Sequence, residues 1–138
     1  MINRRNGRDL AFRLMFQADV GQQPLEEVFA ISRKQGDFSD EVWEFATGLA
    51  SGTWKERGFL DPIIRRLASG WTLERMPSAD RNLLRLALYE MVRREDIPPS
   101  VSINEAVELA KKYSTVESAK FINGVLGSYA RELGVEKA

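Results

Sequence analysis

The stretch SADRNLLRLALYEMVRRED, residues 78–96, constrains the fold of this chain more than any other. Read as a helix, it carries Leu83, Leu84, Leu86, Ala87, Leu88 and Met91 on nearly every side, where a surface helix would keep one apolar stripe. A helix of this kind has to sit in the centre, with other helices packed around it. The following DIPPS must end it, because proline lacks the N–H and restricts the residue before it.

The rest of the chain supplies the surrounding helices. A first helix is expected from about Arg4 to Val20, with Leu10, Leu14 and Ala18 at four-residue steps and Gly21 ending it. Pro24 suits the first turn of a second helix bearing Leu25, Val28 and Phe29. Ser39 is a good N-cap for a third, ahead of Asp40 and Glu41. Its stripe is Val42, Phe45, Ala46 and Leu49, with Gly48 and Gly52 as small contact points.

Asp61-Pro62 reads as an N-cap and first-turn proline opening a short helix that ends at Ser69-Gly70. WTLERMP reads as one helical turn stopped by Pro77. Two S-x-x-E capping boxes follow, Ser102 to Glu105 and Ser114 to Glu117, the first with Val101 and Ala106 placed as a hydrophobic staple. The last helix carries Ala119, Ile122, Leu126, Tyr129 or Ala130, and Leu133 on one line. There is no strand-length alternation, internal repeat or linker. The expectation is an all-α fold of about seven helices, one domain over residues 1–138.

Composition narrows function by exclusion. With neither cysteine nor histidine, the chain has no thiol chemistry, no zinc–thiolate site and no Ser/His or Cys/His pairing. No glycine loop suited to cradling phosphate appears, and no carboxylates cluster at metal spacing. An enzyme is not expected, nor a metal or cofactor. No apolar run approaches the ~20 residues of a membrane span, and MINRRNGRDL leads into no uncharged apolar segment of the kind a signal peptide needs. The cytoplasm is the expected location.

Charge is balanced at 20 basic against 20 acidic residues, but unevenly placed. Residues 1–13 hold Arg4, Arg5, Arg8 and Arg13 against Asp9 alone. Arginines at a helix start oppose the macrodipole, so an external anion such as phosphate is one reason for them. A solvated basic terminus is the other.

Phe121 lies about 100° from the Ile122–Leu126 line, between Lys120 and Asn123. It reads either as a base-stacking platform or as cover for the rim of the core. Gly124 and Gly127 read as points of close helix approach. Phe12 and Phe16, four residues apart, read as core, with one of them able to border a binding surface. Glu74 and Asp80 bracket Met76-Pro77 beside Trp71. They are either a partner-docking edge or, for Asp80, a first-turn acid favoured by the dipole.

The segments RRNGRDLAFRLMFQ, WTLERM, DRNLLRLALYEM and DIPPSVSINEAVELAKKYSTVESAKFINGVLG together resemble the NusB family of transcription antitermination factors. The order and spacing of the segments carry the resemblance, which covers nearly the whole chain. It implies an all-helical fold of two packed helical subdomains. It also implies binding of boxA RNA from ribosomal RNA leaders together with NusE (ribosomal protein S10), and recruitment of an antitermination complex to RNA polymerase, with no chemistry. By resemblance, the RNA contacts are Arg4, Arg5, Arg8, Phe16, Lys120 and Phe121, and Glu74 and Asp80 face NusE. Relatives that self-associate add a homodimer to the expected partners. Asn6-Gly7 interrupts a basic run that is often longer in relatives, and Phe16 replaces a common tyrosine, so it can stack without donating a hydroxyl.

Two other readings fit parts of the sequence. One is a helical adaptor without RNA binding. The other is a relative of the N-terminal module of ribosomal-RNA cytosine methyltransferases, whose catalytic domain uses a cysteine that this chain lacks.

Overall fold

A computed structural model describes residues 3–137, with side chains through Gly134. Its helices are α1 (Arg4–Gly21), α2 (Leu25–Gln35), α3 (Asp40–Lys55), α4 (Arg57–Leu67), α5 (Ser78–Arg93), α6 (Pro99–Tyr113) and α7 (Val116–Lys137). A single 3-10 turn, Leu73–Arg75, lies between α4 and α5. The described residues form no strand, and none of their helices is long and apolar enough to cross a membrane.

The central helix is α5. It packs against α1, α3, α4, α6 and α7, and its residues from Asn82 through Leu88 are all buried. α1 lies most extensively on α3, with α2 beside it, while α6 and α7 pair on the other side of α5. One apolar core runs through both groups, from Leu10, Leu14 and Leu49 to Ile122 and Leu126.

Polar groups within the core are paired. Asp19 on α1 accepts hydrogen bonds from Ser78, Arg81 and Asn82 of α5, and Arg85 donates to both carboxylate oxygens of Asp61 on α4, at 2.8 and 3.0 Å. Burial alone would raise the Asp19 carboxyl, yet the bonds from Arg81 and Asn82 hold it below the ordinary aspartate range.

Several local expectations are corrected. α1 runs through Gly21, and Gln22 takes the left-handed turn at φ 51°. Asp61 is no N-cap: α4 starts four residues earlier, Pro62 lies inside it, and Asp61 serves Arg85. Ser102 does not cap α6, which opens at Pro99. It is buried within the helix instead and donates to Glu90. At α7 the cap is Thr115, whose hydroxyl accepts from the Ser118 N–H at 2.9 Å, one position beyond the expected Ser114.

Glycine roles also differ from expectation. A Cβ at Gly52 would strike the Tyr89 ring, and one at Gly7 would strike Phe45, so both mark close packing. At Gly48 and Gly124 a Cβ would meet nothing, and at Gly127 only the end of Arg131. The last helix is therefore not joined to a neighbour through its glycines.

Among the described residues, the most deeply buried ion pair is Arg8 with Glu90. The guanidinium Nε lies 2.9 and 3.1 Å from the two carboxylate oxygens, with both side chains almost wholly buried. Burial pushes the Glu90 carboxyl up, and Arg8 and Ser102 oppose that rise. Removing one partner strands the other charge, whereas replacing both with apolar groups does not. Arg8→Ala is expected to cost about 3–5 kcal/mol in chemical denaturation. An Arg8→Met/Glu90→Leu double variant should recover most of that loss.

Candidate nucleic-acid interface

Arg4, Arg5, Phe16, Lys120 and Phe121 follow one another from α1, past the end of α6, to the start of α7, while Arg8 and Asp80 are buried and Glu74 lies on the 3-10 turn. At the upper end, Asn3 caps α1 by accepting from the Asn6 N–H at 3.1 Å. Arg4 and Arg5 are accessible there, Arg5 with 73% of its side chain exposed. Both are already paired: Arg4 donates to Asp96 at 3.1 Å, and Arg5 to both oxygens of Glu105 at 3.2 and 3.3 Å. Arg8 departs from expectation. Its side chain is 5% exposed and its Nε is committed to Glu90, so it is not presented to an external phosphate as Arg4 and Arg5 are. Helical geometry explains this, because Arg8 shares a face with the buried Ala11, Phe12 and Met15.

The line continues through a cluster the sequence reading missed. Asp9 accepts from Arg13, Lys112 and Tyr113, at 2.8, 2.7 and 2.7 Å. Burial alone would raise the Asp9 carboxyl, but the three donors together hold it below the usual range. Tyr113 also packs on Phe12, with ring centroids 5.0 Å apart. The KKYS at residues 111–114 was the available signal, two lysines and an aromatic at a helix end. Phe12 is buried as expected. Phe16 is half-buried and borders a hollow of about 270 Å³ lined by Phe12, Arg13, Gln17, Ala79 and Tyr113.

Asp80 lines the next hollow. Its carboxylate is almost wholly buried and accepts hydroxyl bonds from Ser114 and Ser118, each at 2.8 Å. The expectation of an exposed partner-facing acid therefore does not hold at Asp80. It sits in the first turn of α5, as the dipole favours, and ties the α6–α7 connection to that turn.

The hollow that Asp80 lines is a groove of about 230 Å³, walled also by Trp71, Met76, Pro77, Thr115, Ser118 and Phe121. Phe121 is half-buried against Trp71, centroids 6.1 Å apart, and Trp71 itself is 53% exposed. Phe121 thus both covers the core rim and presents ring surface. Lys120 is exposed, and no ion pair forms on it among the described residues. Gly124, one turn on, leaves the helix backbone open. Glu74 is exposed on the 3-10 turn and accepts from Arg65 at 2.9 Å, which lowers its carboxyl pKa. Among the described residues, no three acids are grouped to hold a metal ion.

The buried Asp80 generates a stability prediction. Asp80→Ala leaves the part-buried hydroxyls of Ser114 and Ser118 with only each other and should cost about 1–3 kcal/mol in equilibrium unfolding. Because the bonds are shielded, the loss should change little between low and high salt.

The NusB family model matches residues 5–131. The Transcription antitermination protein NusB of Heliobacterium modesticaldum is 50% identical over 134 residues, covering 96% of this chain and 64% of that protein. The protein of the same name from Symbiobacterium thermophilum is 44% identical, with 94% and 90% covered. This chain thus spans less than two thirds of the first relative and nearly all of the second. Among solved structures, a NusB of T. maritima superposes with a TM-score of 0.86 at 35% identity, covering 95% of this chain and 92% of that one. The NusB chain of a complex of NusB and NusE with dsRNA superposes at 0.81 and 26% identity, covering 91% and 93%. The chain belongs to the NusB family.

Proposed function

We propose that this protein is a transcription antitermination factor that binds boxA RNA of ribosomal RNA leaders jointly with NusE, ribosomal protein S10. In this reading it performs no catalysis, works in the cytoplasm and helps deliver an antitermination complex to RNA polymerase. The observation that carries the reading is the line of side chains from Arg4 and Arg5, past Arg13, Lys112 and Phe16, to Lys120 and Phe121. It interleaves cations with partly exposed aromatic rings, the combination that binds a single strand by phosphate neutralisation and base stacking. The family's antitermination names and the NusB–NusE–RNA relative support the same conclusion.

Arg4, Arg5 and Lys120 are the phosphate contacts in this scheme, and Phe16 and Phe121 are the stacking surfaces. Arg8 acts at one remove, by fixing α1 to α5 and α6 beneath the strand. Glu74 lies on an edge with Trp71 and Met76, where an exposed acid beside apolar surface suits a basic ribosomal protein. Asp80 supports that edge by holding Ser114 and Ser118.

A titration of boxA RNA with and without NusE, at several salt concentrations, tests the proposal. Phe121→Ala should weaken RNA binding by roughly 1–3 kcal/mol while leaving the helical content intact. Arg5→Ala should flatten the log-affinity against log-salt line by about 0.7. Wild-type protein that fails to bind boxA RNA even with NusE present would leave the adaptor reading in its place.

A further inference from the structure

Arg94, in the turn after α5, was not among the residues the sequence singled out, and it completes a site at the start of α1. Its Nε donates to Asp96 Oδ1 at 3.0 Å and its terminal nitrogen to Oδ2 at 3.1 Å. Arg4 reaches the same Oδ2 from α1, also at 3.1 Å. The two guanidinium groups lie over the ring of Phe45, at 5.4 Å for Arg4 and 5.6 Å for Arg94. Phe45 is itself fixed against Gly7, where no Cβ could fit. Two arginines on opposite chain segments, stacked on one aromatic and converging on one carboxylate, have the geometry of an oxyanion clamp.

We propose that Arg4 and Arg94 form a two-arginine clamp for an RNA phosphate, and that Asp96 is a tethered carboxylate occupying the clamp until RNA displaces it. The proposal deepens the RNA-binding reading and rests on it. The clamp is open to exchange, since half of the Asp96 side chain and 42% of the Arg4 side chain are exposed to solvent. Arg94, and then Arg4, hold the Asp96 carboxyl at a pKa of about 2, so the occupant stays charged throughout the working pH range. An incoming phosphate must therefore take over both arginines from a charged competitor, and it gains less than it would from free arginines. The turn is also closed by a backbone hydrogen bond from the Ile97 N–H to the Arg94 carbonyl, which Asp96→Asn leaves in place.

Fluorescence anisotropy with labelled boxA RNA and, separately, labelled polyuridine tests this on the full chain, with thermal melts confirming that each variant folds. Asp96→Asn should tighten binding of both RNAs by about two- to fivefold at low salt, the range set by release of one exposed ion pair. The salt dependence should steepen by up to about 0.7. Adding Arg94→Ala should abolish the gain. Glu95→Gln, which removes the neighbouring exposed charge, should not reproduce it. If the wild type binds RNA but Asp96→Asn does not bind more tightly, the clamp is wrong and the RNA-binding reading stands. A gain that survives Arg94→Ala, or that Glu95→Gln matches, also overturns the clamp, since net charge alone then explains it. If neither wild type nor Asp96→Asn binds either RNA, even with NusE added, both the clamp and the reading beneath it fall.

Discussion

The buried pair of Arg8 and Glu90 is the contact on which the arrangement of this molecule depends. It joins α1 to the central helix α5, and Ser102 brings α6 into the same cluster. Two charges taken out of water carry a large desolvation penalty, which only close, well-aligned partners offset. Such a pair tolerates little sliding between helices, so it fixes the register of α1 against α6. That register puts Arg5 opposite Glu105 and Asp9 opposite Lys112 and Tyr113. The surface line of cations and rings is thus a consequence of a core interaction.

The same pairing shapes how the surface would meet RNA. Arg4, Arg5, Arg13 and Lys112 each hold an acid of the protein itself, at 2.7–3.2 Å. A neutral chain can therefore carry a basic face without the long-range field of a strongly basic protein. In the proposed reading, binding would exchange internal carboxylates for phosphates, which would lower the net gain of each contact and favour strands that also fill the aromatic hollows. Lys120 and the open backbone at Gly124 stand apart from this pattern. A helix glycine costs roughly 1 kcal/mol against alanine, and at Gly124 no neighbour of this chain requires it. An approach to that backbone from outside the chain would account for it.

Much of the fold was legible because it follows from periodicity and breakers. The all-round apolar character of residues 83–91 put α5 at the centre, Ser39 marked the start of α3, and the DIPPS segment marked the break after α5, although α6 already opens within it at Pro99. The misreadings of polar residues share one cause: side chains with a local explanation were serving distant partners. Asp61 resembled a cap but answers Arg85, Ser102 resembled a cap but answers Glu90, and Arg8 resembled a free cation but is buried with Glu90. Local spacing cannot reveal a partner 82 residues away. For the interface, the sequence marked Lys120 and Phe121 through their offset from the buried line. It gave no sign that Trp71 and Phe121 share a groove, or that Asp96 sits between two arginines.

The central claim is that RNA follows one path from the start of α1 to the start of α7. Amide chemical-shift mapping of the isotope-labelled protein, titrated with boxA RNA, tests it most directly. The account predicts that the largest shifts fall in residues 4–17, 94–96, 112–114 and 118–124, with α2 and the exposed side of α3 nearly silent. Shifts concentrated on α2 and α3, with the α1 to α7 line unchanged, would contradict it.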